Sequence, residues 1–134
     1  MIKVEINKMA KCSLGNDFFR TAIKATLNKL NIIDANISIA IVDDKKIQEL
    51  NLKYRNKNES TDVLSFCNME TTNGQELENN YLGEIIIDFD YIIRQAKQMK
   101  HSAKEEMEIM VNHGLLHLLG YTHGQMKGLN IKAI

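Results

Sequence analysis

Three of the four histidines in this chain of 134 residues fall close together, as His113, His117 and His123 in NHGLLHLLGYTHG. Neutral imidazole nitrogens are general ligands for zinc, nickel and copper. His113 and His117 stand four positions apart in a helical pattern. At about 100° per residue they differ by only ~40° in direction, one turn apart on one face. Gly120 then ends the helix, because a residue without Cβ readily takes the left-handed conformation there. The chain turns through Tyr121 and Thr122, which brings His123 to the same point from another side. Three nitrogens around one ion leave a fourth tetrahedral position for water, the arrangement of a catalytic zinc. Water on such an ion has a pKa of about 7, so hydroxide is available at neutral pH.

The histidine spacing equals that of HExxHxxGxxH metalloproteases, but Gly114 occupies the position of their glutamate. That glutamate is the general base of peptide cleavage, so its absence argues against ordinary proteolysis. A second chemical candidate lies in YRNKNESTDVLSF, Tyr54 to Phe66, where Arg55 and Lys57 follow Lys53. A guanidinium grips a phosphate through two parallel hydrogen bonds and always carries its charge. A solvated charged loop explains the same composition, and Ser60-Thr61-Asp62 suits a turn onto the following strand.

These residues need a scaffold. Ile2 to Ile6 alternates apolar and charged residues and predicts a half-buried strand. Asn16 is expected to cap a helix with Phe19, Ile23, Leu27 and Leu30 on one face. Ile37, Ile39 and Ile41 predict a second strand, apolar on its other side at Ala40 and Val42. Asp43 caps a short helix carrying Ile47, Leu50 and Tyr54. Thr61 to Cys67 predicts a third strand, and Asn73-Gly74 a turn toward a fourth, Leu82 to Phe89. That strand is nearly continuously apolar and belongs inside the sheet. Helical spacing runs from Tyr91 to Lys100 and from Ala103 to Leu119, with Ser102 and Glu105 as a capping box. On the last helix, Met107, Val111, Leu115 and Leu118 mark one apolar face and Ile109 and Leu116 another. Glu105, Glu108 and Asn112 are left as a narrow polar stripe. The expected fold is a single α/β (α+β) domain over residues 1–134. Its four-stranded mixed sheet is packed by four to five helices and carries a zincin-like metal helix.

The 17 basic and 17 acidic residues cancel, which excludes a wholly basic nucleic-acid coat or an acidic tail protein. The zero sum hides segregation. Arg94, Lys97, Lys100 and Lys104 form a basic stripe that suits either a phosphate backbone or a solvated helix face. Cys12 and Cys67 form no CxxC pair, so a reducing cytoplasm is expected. No apolar run has the length of a membrane span, and the first residues lack the apolar core of a signal peptide.

The eleven residues His113-Gly114-Leu115-Leu116-His117-Leu118-Leu119-Gly120-Tyr121-Thr122-His123 resemble the signature HGxLHLxGYDH of the YbeY family of metal-dependent endoribonucleases. Tyr54-Arg55 with Thr61-Asp62-Val63-Leu64-Ser65-Phe66, and Leu82-Gly83-Glu84-Ile85, resemble its other blocks in order and spacing. The likeness runs roughly from Ile37 to His123. It implies one Zn2+ on His113, His117 and His123, with Arg55 as the family's important arginine. It also implies cleavage of single-stranded RNA in ribosomal RNA maturation and ribosome quality control, in the cytoplasm and beside the ribosome. Lys53, Lys57, Arg94 and Lys97 are expected to contact RNA. Two departures stand out: Thr122 replaces the family's aspartate, removing a carboxylate near the metal, and Ser60 replaces a proline, loosening its loop. A zinc hydrolase of another substrate class, or a non-catalytic ribosomal factor with a structural metal, are the alternative readings.

Overall fold

A computed structural model describes residues 1–67, 80–129 and 131–132. Along the chain come β1 (Ile2–Lys8), α1 (Asn16–Lys29), β2 (Ala35–Val42), α2 (Asp44–Arg55) and β3 (Val63–Cys67). They are followed by β4 (Tyr81–Asp88), α3 (Phe89–Met99), α4 (Ala103–Leu118) and α5 (His123–Lys127). The four strands form one sheet in the order β1-β2-β4-β3. β1, β2 and β4 run parallel, while β3 pairs antiparallel with β4 from Val63↔Ile87 to Cys67↔Gly83. The mixed sheet with an internal, apolar β4 is the expected one. The Asn73-Gly74 turn lies outside the described residues.

Two-residue alternation decides which side of the sheet each strand residue serves. Ile37, Ile39, Ile41, Ile85 and Ile87 face the main core with Phe19, Ile23 and Leu27 of α1, Ile92 of α3, and Met107, Val111 and Leu115 of α4. Ala40, Val42, Leu64 and Ile86 point the other way and are covered by Ile47 of α2. Helices thus lie on both faces, as parallel strands require.

Several boundaries differ from the expected ones, each for a local reason. Gly15, not Asn16, sits at the α1 cap position and makes no side-chain bond there. β3 starts at Val63, whose N–H is taken by the Asp62 carboxylate at 2.7 Å, two residues later than expected. β4 stops at Asp88, which caps α3 by accepting from the Tyr91 N–H, so α3 begins at Phe89. Ser102 caps α4 through the Glu105 N–H, but the Glu105 carboxylate meets His101 at 3.1 Å instead of closing a capping box. Asn112 is not part of an exposed stripe. It is buried, accepts from Thr26 Oγ1 at 2.6 Å and donates to the Lys132 carbonyl at 2.9 Å. Glu106, on the same helix, is also buried.

Candidate metal centre and cleft

α4 lies along β3 at unusually close range. Ser65 Oγ donates to the Gly114 carbonyl at 3.2 Å, and Cys67 Sγ to that of Leu118 at 3.6 Å. Glycine at 114 permits this approach: a Cβ there would stand 3.0 Å from Ile85 Cγ2 and 3.1 Å from Ser65 Oγ. Any larger residue in that position would press on the Ile85 and Ser65 side chains, and the glutamate that serves a peptidase as base is absent.

The same helix presents His113 and His117 together, with Nε2 atoms 2.9 Å apart. Gly120, at φ +88°, reverses the chain and α5 begins at His123. Ring centroids of the three histidines are 4.4, 4.8 and 5.2 Å apart, and one nitrogen from each lies within 4.8 Å of the others. Two nitrogens bound at about 2.0–2.1 Å to a tetrahedral zinc stand ~3.3 Å apart, so the donor set fits such an ion with a small opening of the first pair. Burial lowers the His117 pKa, followed by the charges of His113, His123 and Arg55. The neutral ring is the form that binds metal.

Arg55 reaches this neighbourhood from α2. Asn56 ends that helix in the left-handed conformation, and buried Asn51 ties down the following loop by donating to the Glu59 carbonyl at 2.9 Å. Tyr54 packs edge-on against Phe66 of β3 at 5.1 Å. Arg55 Nη2 then donates to the Ser65 carbonyl at 3.2 Å. The result is an open cleft of about 540 Å³ lined by Arg55, Lys57, Thr61, Ser65, Cys67 and His117, among others. The basic loop and the histidine group meet at His117.

The remaining basic candidates stand elsewhere. Lys53 lies over the Tyr54 ring at 5.1 Å, outside the cleft lining. Arg94 grips Asp44 with two bonds of 2.8 and 3.2 Å at the start of α2, about 16 Å of helix from Arg55. Lys97 shares its helix, while Lys100 adopts the left-handed cap and Lys104, in the first turn of α4, lies over the Phe18 ring. The expected basic stripe is therefore split between two helices.

Two features escaped the sequence reading. α5 was announced by Thr122 and Gln125, a capping-box pair that the signature made easy to overlook. The carboxylates of Asp44, Asp88 and Asp90 come within 4.8 Å of one another. They sit at the first turns of α2 and α3, where helix dipoles favour negative charge, and Arg94 balances them.

The family profile described as Endoribonuclease YbeY matches residues 3–131. A protein of that name from Alkaliphilus oremlandii is 44% identical over 91 residues, covering 68% of this chain and 60% of its own length. Another from Aquifex aeolicus is 37% identical over 116 residues, covering 87% of this chain and 75% of its own. The solution structure of a Thermotoga maritima protein, 26% identical, superposes with a TM-score of 0.58 over 92% of this chain and 75% of that one.

Proposed function

The chain belongs to the YbeY endoribonuclease family, and on that footing we propose a zinc-dependent endoribonuclease that cleaves single-stranded ribosomal RNA during its maturation. The observation that carries the reading is the convergence at His117, which belongs both to the histidine group and to the cleft lined by Arg55 and Lys57. In this reading His113, His117 and His123 hold the metal. A divalent ion there supplies Lewis-acid polarisation of a phosphoryl oxygen. Arg55 leaves its bond to the Ser65 carbonyl, grips the scissile phosphate and neutralises charge that builds in the transition state. Lys57 holds a neighbouring phosphate on the same wall. Lys53, Arg94 and Lys97 act outside the cleft, on flanking RNA. None of the described helices is long and apolar enough to cross a membrane. The place of work we propose is the cytoplasm, beside the ribosome.

The test is cleavage of single-stranded RNA by the purified chain, with and without chelator. Loss on chelation, recovery with Zn2+, and no recovery in His117→Ala are expected. Cleavage that survives His117→Ala unchanged would overturn the reading of this chain as a metal-dependent nuclease, and a variant that unfolds as it loses the metal would favour a structural metal. Product ends identify the nucleophile, since a 2′,3′-cyclic phosphate marks attack by the RNA's own 2′-OH. Chelator-sensitive cleavage of peptides without cleavage of RNA would favour the peptidase reading, for which no base stands at Gly114.

A further inference from the structure

We infer that Thr122, Gln125, Tyr121 and Met126 form a positioning device that presents His123 to His113 and His117 before any metal arrives. The inference rests on reading the three histidines as ligands, and concerns residues to which the signature gives no such role. α4 ends in two nested bonds, Tyr121 N–H to the Leu116 carbonyl and Gly120 N–H to that of His117, both 3.0 Å. This double closure with a left-handed glycine fixes the path out of the helix. The next residue, Thr122, caps the start of α5. Its Oγ1 accepts from the Gln125 N–H at 3.3 Å, and Gln125 Oε1 accepts from the Thr122 N–H at 2.8 Å. His123, the first helical residue, is held inside this reciprocal box.

A hydrophobic contact locks the box to α4. Tyr121, just before the cap, packs on the cluster formed by Leu116 and Met126. An apolar residue before a cap that meets one four positions into the helix is a staple, and it sets the angle at which the chain enters. Leu116 precedes His117 and Met126 lies three residues beyond His123, so one contact ties both ligand-bearing turns together. A helix of five residues cannot hold itself, because nucleation is unfavourable and so short a run propagates little. Cap and staple supply the order instead. A ligand ordered during folding loses less backbone freedom when the ion binds.

This explains the missing aspartate. Threonine and aspartate both cap helices through a side-chain oxygen. Position 122 therefore acts through the backbone of His123, not through a charge near the ion.

The experiment measures Zn2+ affinity of the full chain by competition with a chromogenic chelator, together with kcat at saturating Zn2+. Thr122→Ala should weaken binding about tenfold, and Thr122→Ser and Thr122→Asp should stay within about twofold of the parent. Gln125→Ala, at an exposed position, should weaken binding in the same direction by a smaller factor, and it serves should Thr122→Ala prove unstable. With the metal saturating, kcat should return close to the parent value in all four. Unaltered affinity in Thr122→Ala and Gln125→Ala would overturn the inference. So would Thr122→Asp binding about tenfold more tightly than the parent, since a carboxylate would then be acting on the metal site itself. Parent and His117→Ala binding Zn2+ alike would instead sink the ligand reading, a distinct failure.

Discussion

Replacing Asp88 by asparagine is expected to stabilise the protein above neutral pH and to change little in acid. Asp88 is fully buried at the end of β4. One carboxylate oxygen accepts the Tyr91 N–H, and the other has no donor among the described residues. Burial, and after it the hydrogen bond with Asp44, push the Asp88 pKa up from 3.8 to about 7. The Asp88 carboxyl thus holds its proton beside Asp44. Asp44 is held ionised by Arg94 first and by this contact second. The folded protein thus keeps a proton that the unfolded chain releases from 3.8 upward. Stability fully present below that value is lost as pH rises toward about 7, and the loss levels off beyond it. At about 1.4 kcal/mol per unit the shift amounts to ~4 kcal/mol at most. The opposite shift of Asp44 offsets part of this, although its side chain is 44% exposed and screened. A net effect of about 1–3 kcal/mol is expected. Asparagine preserves the acceptor for Tyr91 and donates to Asp44 without a titrating proton. Urea unfolding at about pH 4 and about pH 8 reads the difference as a midpoint shift at constant slope. A variant no more stable than the parent at the higher pH would refute the shared proton. So would a parent whose stability does not fall across the window.

The other predictions concern the cleft and its walls. Arg55→Ala should lower kcat for RNA by about 10²–10³-fold at unchanged Zn2+ content, with Arg55→Lys only partly restoring it. Equal kcat in all three proteins would remove Arg55 from the chemistry. Lys57→Ala should weaken RNA binding and reduce its salt dependence by about one unit of slope, more than Lys97→Ala does. Equal effects would show that the cleft is not the main RNA track. Gly114→Ala should cost about 1–3 kcal/mol, because the added Cβ meets Ile85 and Ser65. An unchanged urea midpoint would mean that α4 can move off β3 freely.

What could be read from the sequence, and what could not, divides by the range of the interactions involved. The strands, their inward faces and the histidine group follow from period and spacing, which are properties of neighbouring residues. Ile37, Ile39 and Ile41 face one side and Ala40 and Val42 the other because a strand alternates, whatever it packs against. Errors arose where a side chain had two local uses and a distant partner chose between them. Glu105 could have reached back to the cap, but His101 took its carboxylate. Asn112 looked solvated until Thr26, 86 positions away, and Lys132 enclosed its amide. Arg94 counted as free positive charge until Asp44, 50 positions away, claimed both ends of its guanidinium. The same logic applies at the site. Each histidine was visible, yet the cleft depends on Tyr54 packing edge-on against Phe66 and Arg55 reaching the Ser65 carbonyl, contacts between elements that no local pattern encodes. α5 is the instructive exception. Its signal was entirely local, Thr122 and Gln125 with Tyr121 and Met126 around them, and it was hidden by the stronger motif that contains it. A residue that differs from a family signature invites a reading as chemistry lost. At Thr122 the local rules of helix capping already assign it a different task.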